Sequence, residues 1–375
     1  MMNILVLGGG IGGMAAAIKL KQSGHAVELV EKSADWKALG TGLTLSVLTL
    51  RALCDLGVQD EIAAQGFVHD GVDIYDQHGG FIRTVLSKRM ISDDFPSEGA
   101  ILRPVLHEIL SKKVMALEIP VFLGDSIAEI RSSLEHGNFV KFESGREQHY
   151  DLVVGADGVF SKLRQLLMPE QQAPEYTGQA CWRLQFDRPA DIVRGRMFQS
   201  EKMKVGFNPC SPTQMYMYMM ECVPKEQVWR EPEDLPRIAK ELLQEFDAVL
   251  KPYIDSIDDQ TPIIYRPLER VMVNGDWHRG AALLIGDAVH ATTPHLGSGA
   301  GLAVEDAIVL AQIIDQYGND LENVFKAFMQ KRLDRARFVV ETSGEIGRME
   351  IAGESMMARS MLLAKGFEQV TTPYL

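Results

Sequence analysis

The first 31 residues constrain this chain more than any other stretch. Asn3–Leu7 is a short apolar run that passes directly into Gly8-Gly9-Gly10-Ile11-Gly12-Gly13. Met14–Gln22 reads as a helix, and Ala26–Val30 is a second apolar run ending at Glu31. Strand, glycine turn, helix and strand in this order describe the first unit of a parallel sheet. Gly8, Gly10 and Gly13 fit G-x-G-x-x-G. The first glycine permits the tight turn, the second lets backbone approach a pyrophosphate, and the third lets helix and sheet pack closely. Ile11 and Gly12 complete the turn at the helix N-terminus, where an anion is favoured. Glu31, followed by Lys32, stands where an acid takes ribose hydroxyls. An acid there favours an unphosphorylated ribose, as in FAD or NAD.

A second glycine-rich stretch, Gly286–Ala307, has the same local logic. The apolar run Ala281–Ile285 reads as a buried strand. Gly286-Asp287, a polar turn with Pro294, and glycines at 297, 299 and 301 follow, and an amphipathic helix then runs to about Tyr317. A helix N-terminus again faces a loop with little side-chain bulk. A third glycine turn, Gly155-Ala156-Asp157-Gly158, follows the apolar run Tyr150–Val154, with Ser161 and Arg164 on a short helix beyond it.

Composition narrows the partners. The 375 residues suit one large or two intertwined domains, and 46% apolar residues supply a sizeable core. A net charge of −13 argues against nucleic acid and against an anionic membrane surface. Cys54, Cys181, Cys210 and Cys222 make no CxxC pair and no metal-ligand spacing, so no metal is expected and free thiols in a reducing cytoplasm are. The N-terminal apolar run is too short for a signal peptide or a membrane span.

The remaining pattern divides the chain. Leu48–Leu56 reads as a helix with Gly57 behind it, and Arg103–Leu117 as another, with Leu106, Ile109, Leu110 and Val114 on one face. Val72–Tyr75 and Phe81–Val85 flank the hairpin signal His78-Gly79-Gly80, and Leu86–Gly99 reads as an irregular loop. Ala180–Phe186, Arg196–Gln199, Lys204–Phe207 and Gln214–Cys222 read as strands without intervening helices, an antiparallel sheet of a second domain. Leu235–Phe246, Asn323–Val340 and a Met-rich segment, Glu345–Ala364, read as helices. The fold expected is therefore α/β: a Rossmann-type nucleotide domain, an inserted antiparallel-sheet domain and C-terminal helices. The first takes 1–70, 100–175 and 267–375; the second takes 71–99 and 176–266. The Met-rich stripe is read as packing, and Lys204 as a surface charge.

The three glycine motifs, in this order and spacing, resemble the class A flavin-dependent monooxygenases, the aromatic hydroxylases typified by p-hydroxybenzoate hydroxylase. Pro294-His295-Leu296-Gly297-Ser298-Gly299 with Glu305-Asp306-Ala307 is most similar to the salicylate-hydroxylase-like branch. The resemblance implies FAD as cofactor, with Gly8, Gly10 and Gly13 at its pyrophosphate and Glu31 at its adenosine ribose. It implies Arg103 at the phosphate and ribityl region, Asp157 and Gly158 at FAD and NAD(P)H, and Asp287 of Gly286-Asp287 at the ribityl chain. Pro294, Leu296, Gly297, Ser298, Gly299 and Ala300 would line the isoalloxazine. It further implies that NAD(P)H reduces the flavin and that O2 then forms a C4a-hydroperoxide, which hydroxylates a small aromatic or heteroaromatic substrate. Arg183, Tyr216, Tyr218 and His295 are the candidate substrate contacts, for holding a carboxylate or taking a phenolic proton. The oligomer expected is a monomer or a homodimer.

Two places depart from the family pattern: Val47-Leu48 stands where Pro-Asn is frequent, and Gly297-Ser298-Gly299 where Gly-Gln-Gly is. Another FAD-dependent oxidoreductase or a non-catalytic FAD sensor on the same scaffold stays open. The W-x-W-x-I-P signature of flavin halogenases is absent.

Overall fold

The computed structural model describes residues 1–38, 40–171 and 173–374. Strand Asn3–Leu7 lies between two parallel neighbours, Ala26–Glu31 and Leu152–Gly155, with Leu5 beside Glu28 on one side and Val153 on the other. Val121–Leu123 extends this sheet past Ala26–Glu31; Ala282–Leu284 and then His278–Arg279 extend it past Leu152–Gly155. Only His278–Arg279 runs antiparallel. The central strands are apolar without alternation because both faces are covered: Ile4, Leu5, Val6, Val153, Val154 and Leu283 have no exposed surface. Helices Ile11–Gln22 and Gly299–Tyr317 pack on each other. Their seam is built of small residues, since a Cβ on Gly12 would stand 3.0 Å from the Ala303 Cβ.

A seven-stranded sheet forms the second layer, in the order Ile263–Arg270, Glu175–Asp187, Gln214–Cys222, Lys204–Pro209, Gly195–Gln199, Val72–Asp76, Phe81–Val85. It departs from the expected pattern at one pair, where Gly195–Gln199 and Val72–Asp76 run parallel. Alternation gives its two faces different jobs. Trp182, Leu184, Met215, Met217 and Met219 join Leu235, Leu243, Phe246 and Leu250 in a closed core. Arg183, Tyr216 and Tyr218 carry the intervening positions and face the other way.

Several element boundaries differ from the sequence reading. Asn323–Val340 and the Met-rich segment are not separate at residue 341: one helix runs Leu321–Ile351, and the break falls at 352–355 before helix Met356–Val370. Thr342, Ser343 and Gly344 read as a break, yet Thr342 and Ser343 are buried and a Cβ at Gly344 would stand 2.8 Å from Arg270. The polar and small residues there serve close approach. Glu98 and Gly99 are not loop but begin strand Glu98–Leu102, between Gly42–Leu45 and Phe67–His69. Tyr150–Val154 divides at Asp151 into an antiparallel strand, Glu147–Tyr150, and the parallel Leu152–Gly155. Beyond Leu243 the helix tightens and a further one, Asp247–Ser256, follows. The Met stripe is only partly packing, for Met357 and Met361 are 75% and 69% exposed. Among the described residues no helix is long and apolar enough to cross a membrane, and no cluster of His, Cys, Asp or Glu is arranged to hold a metal.

Candidate active site

A cleft of about 420 Å³ opens between the nucleotide sheet and the seven-stranded sheet. Its first wall is the glycine turn. Gly8 has φ +104°, and a Cβ there would lie 2.3 Å from the Ala156 carbonyl oxygen; one on Gly13 would lie 1.8 Å from the Gly8 oxygen. Both glycines sit behind the wall and allow its shape. Gly10 faces the opening, with nothing within 4 Å of its Cβ position. The helix Ile11–Gln22 begins there with no side-chain cap and no acid in its first turn. Its free N–H groups and dipole suit a pyrophosphate. Glu31 closes the turn: its Oε2 accepts from the Gly9 N–H at 2.7 Å and its Oε1 from the Ser33 N–H at 2.8 Å. Each carboxylate oxygen keeps a lone pair for a ribose hydroxyl.

The opposite wall is Gly286, Asp287, Pro294 and Gly297–Ala300. Here the helix Gly299–Tyr317 also starts without a side-chain cap or an acidic first turn. Two helix N-termini thus converge on one cleft. A buried ionic cluster fixes this wall. Asp306 Oδ2 accepts from the Gly286 N–H at 2.9 Å and meets His290 Nε2 at 2.6 Å, while its Oδ1 accepts from Arg332 Nε at 2.7 Å. His290, Glu305, Asp306 and Arg332 have no exposed surface. Burial alone would raise the Asp306 carboxyl, but the charges of His290 and Arg332 outweigh it and bring it to about 2. A depressed carboxylate contributes stability that is complete above about pH 4 and is lost as pH falls towards 2. The urea midpoint should therefore fall steeply across that window, and Asp306→Asn should flatten part of the slope. An equally steep slope in the variant would contradict the assignment.

Two cations face the cleft without partners. Arg103 opens the helix Arg103–Ala116, and Arg183 lies on the seven-stranded sheet; both line the cleft. Neither has an ion pair or side-chain hydrogen bond among the described residues. Burial, with the like charge of Arg183, lowers the Arg103 guanidinium from its ordinary value. The facing carboxylate, Asp287, is raised by burial and also lacks a side-chain partner among the described residues. Arg103 and Asp287 have open surface only because the cleft exposes them; protein surrounds their other sides. An anion in the cleft relieves the repulsion between the two guanidinium groups.

Tyr216 stands beside Arg183. Its ring fills the space a Gly42 Cβ would occupy, at 1.9 Å. Its hydroxyl bonds Thr44 Oγ1 and accepts from Asn208 Nδ2 at 3.0 Å. Burial raises the Tyr216 phenol, so it stays protonated and serves as a fixed hydrogen-bonding group rather than as a base.

Other residues singled out from the sequence lie away from the cleft surface. Leu296 is buried in an apolar cluster with Leu48, Leu302 and Val339, and Lys32 is exposed outside the cleft. Asp157 turns back to accept from Ser161 Oγ at 2.6 Å and the Leu163 N–H at 3.0 Å, while Gly158 lines the cleft. Tyr218 packs over Gly206, where a Cβ would meet its ring at 2.1 Å. His295 points behind the loop to Glu350. Lys204 is not a surface charge: its Nζ pairs with Glu350 Oε1 at 2.7 Å and it is half-buried.

The sequence reading missed Trp36, which donates to the Gly9 carbonyl at 2.9 Å and lines the cleft with His107 at its edge. It also missed Thr44, Asn208 and Glu350. No spacing marks these residues, because Thr44 and Asn208 come from separate sheets, Trp36 from the loop after Ala26–Glu31 and Glu350 from helix Leu321–Ile351.

Fold and cleft define a nucleotide-cofactor protein whose second sheet forms one side of the cleft. The family model described as FAD binding domain matches residues 1–343. The chain is 31% identical to 2-heptyl-3-hydroxy-4(1H)-quinolone synthase of Pseudomonas aeruginosa, over 93% of this chain and 89% of that enzyme. It is 27% identical to 6-hydroxynicotinate 3-monooxygenase of Bordetella bronchiseptica, over 91% of this chain and 90% of the other. The structure superposes on Klebsiella pneumoniae HpxO, solved with FAD and uric acid, with a TM-score of 0.84 at 22% identity over 98% of this chain and 93% of that one. The chain belongs to the FAD binding domain family and, within it, to the FAD-dependent aromatic monooxygenases.

Proposed function

We propose that the protein hydroxylates a small aromatic or heteroaromatic ring that carries an acidic oxygen, using FAD, NAD(P)H and O2. The observation that carries this reading is the unpartnered Arg183, beside the neutral Tyr216, facing the glycine loop 297–299 across the cleft. Bound FAD supplies the redox chemistry, taking hydride from NAD(P)H and activating O2. The chain's own residues bind and orient. The N-terminus of Ile11–Gln22, Glu31 and Arg103 hold the nucleotide, and Asp287 holds its polyol chain. The N-terminus of Gly299–Tyr317 favours negative charge on the ring system. Arg183 grips the substrate anion, and Tyr216 and the loop fix the ring plane. The closed sheet behind them keeps water from the reacting carbon.

The test is aerobic oxidation of NADH and NADPH by the FAD-loaded protein, alone and with hydroxybenzoates, hydroxynicotinates and quinolones, with mass analysis of products. A compound that accelerates oxidation and gains one oxygen atom is the expected result. No acceleration by any of them would sink the reading. With such a compound, Arg183→Met should raise KM by about 10–100-fold, the worth of a hydrogen bond to a charged group, with a smaller change in kcat. The four cysteines, none paired, suit the cytoplasm. The exposed Met357 and Met361 offer an apolar face for a second copy, so a homodimer fits as well as a monomer.

A further inference from the structure

The carbonyl of Gly297, in the loop that lines the cleft, is held from behind by two hydroxyls. Ser46 Oγ donates to it at 2.9 Å and Thr49 Oγ1 at 3.1 Å. A carbonyl oxygen has two lone pairs, so the two donors saturate it. Ser46 and Thr49 are buried, at 5% and 0% exposure, and neither lines the cleft. Both stand at the N-terminus of helix Val47–Asp55, where Ser46 is also the cap. They flank Val47-Leu48, the pair that stands where Pro-Asn is frequent. Leu48 is buried with Leu296, Leu302 and Val339, so the polar hold of this helix on the loop comes from residues 46 and 49.

This hold has an electrostatic consequence. A continuous helix would give the Gly297 carbonyl to the Gly301 N–H, four residues on. Here the hydroxyls take that carbonyl. The N–H groups of Ser298, Gly299, Ala300 and Gly301 have no backbone acceptor among the described residues, and the helix Gly299–Tyr317 has no side-chain cap. Gly297 itself is left-handed, with φ +57° and ψ 26°, and Ser298 Oγ closes the turn on the Leu296 carbonyl at 2.8 Å. The 297–298 peptide is trans, so the Ser298 N–H points opposite to the Gly297 carbonyl, away from helix Val47–Asp55. Ser298, Gly299 and Ala300 line the cleft. Hydrogen bonds to a peptide oxygen polarise the peptide and strengthen what its N–H offers.

We propose that Ser46 and Thr49 are positioning residues that set the redox potential of the cofactor: through the Gly297 carbonyl they keep the N–H groups of the loop free for the flavin ring, and so favour its reduced, negatively charged state over the oxidised one. The inference rests on the proposed seat of the flavin ring against residues 297–300, and not on which aromatic compound is hydroxylated. Neither side chain reaches the cleft, so both act through the loop. Without the hydroxyls the Gly297 carbonyl would be left unpaired and would turn to the Gly301 N–H. That removes one free donor from the helix N-terminus and ends the polarisation of the 297–298 peptide. The loss falls on one redox state, because only the reduced ring brings a negative charge for these groups to meet.

The test is the midpoint potential of the FAD-loaded full chain, read by anaerobic reduction against a reference dye, together with titration of FAD onto the apoprotein. Thr49→Val keeps the shape of the side chain and removes one donor; Ser46→Ala removes the other. Thr49→Val should bind oxidised FAD within about twofold of wild type and hold the reduced form about tenfold less tightly, roughly the worth of one hydrogen bond. A tenfold preference lost by the reduced state lowers a two-electron midpoint by about 30 mV. Ser46→Ala should shift it in the same direction, and Thr49→Ser, which keeps the hydroxyl, should hold the wild-type midpoint. The urea midpoint identifies a variant that has not folded, and the other position then carries the test. Equal losses of oxidised and reduced FAD, with the potential unmoved, would mean that the hydroxyls only brace the loop, and would overturn the proposal. Unchanged affinity and unchanged potential in both variants would overturn the seat of the ring as well. Neither measurement needs a substrate, so a failure of the hydroxylase reading leaves the result intact.

Discussion

Arg332→Met is expected to lower folding stability by about 3–5 kcal/mol, the cost of removing one partner from a buried ion pair. Arg332 has no exposed surface, and its guanidinium serves Asp306 at 2.7 Å and Glu305 at 3.0 Å. Both carboxylates are likewise buried. Glu305 would keep Arg335 at 2.7 Å and Arg51 at 3.3 Å; Asp306 would keep His290 and the Gly286 N–H. Asp306 therefore suffers most, and it is the residue that fixes the turn before Asp287. The variant should lose FAD along with stability. Urea unfolding, followed by fluorescence with and without added FAD, measures both. A loss below about 1 kcal/mol, the scale of an exposed pair, would mean that the remaining charges already balance the cluster.

That cluster also shows where the sequence was legible and where it was not. Glu305 and Asp306 follow a glycine-rich helix start and were readable as part of a motif. Their partner Arg332 lies in the next helix, at no fixed spacing. Local signals served well wherever one residue's conformation decided the outcome: Gly8, Gly13 and Gly286 need close approach or positive φ. Alternation likewise placed Tyr216 and Tyr218 on one face of a strand. It could not say that Tyr216 would meet Thr44 and Asn208, because those contacts depend on how separate sheets are stacked. His295 was singled out for the cleft and instead turns behind it. The residue that draws it there, Glu350, lies 55 positions on, in a helix whose true extent the small residues at 342–344 concealed.

Gly13→Ala and Gly10→Ala should separate the two jobs of the first glycine turn. A methyl at residue 13 would lie 1.8 Å from the Gly8 carbonyl oxygen, and both atoms belong to rigid backbone. No side chain can swing aside, so helix Ile11–Gln22 must move off the sheet, and with it the seam against Ala303. Overpacking of this kind costs about 2 kcal/mol or more, and the cost falls on the apoprotein too. Gly13→Ala should thus be isolated without flavin and with a lowered urea midpoint. A methyl at residue 10 meets nothing among the described residues within 4 Å, and Gly10 lines the cleft. Gly10→Ala should keep the apoprotein's stability while weakening FAD by about 10–100-fold, or about 1.4–2.8 kcal/mol. The ratio of flavin to protein absorbance, with a titration of added FAD, reads the second effect directly. If Gly10→Ala binds FAD normally, the pyrophosphate does not lie against this turn. If Gly13→Ala is as stable as wild type, helix and strand are free to part there, and the tight packing assigned to the third glycine is not needed.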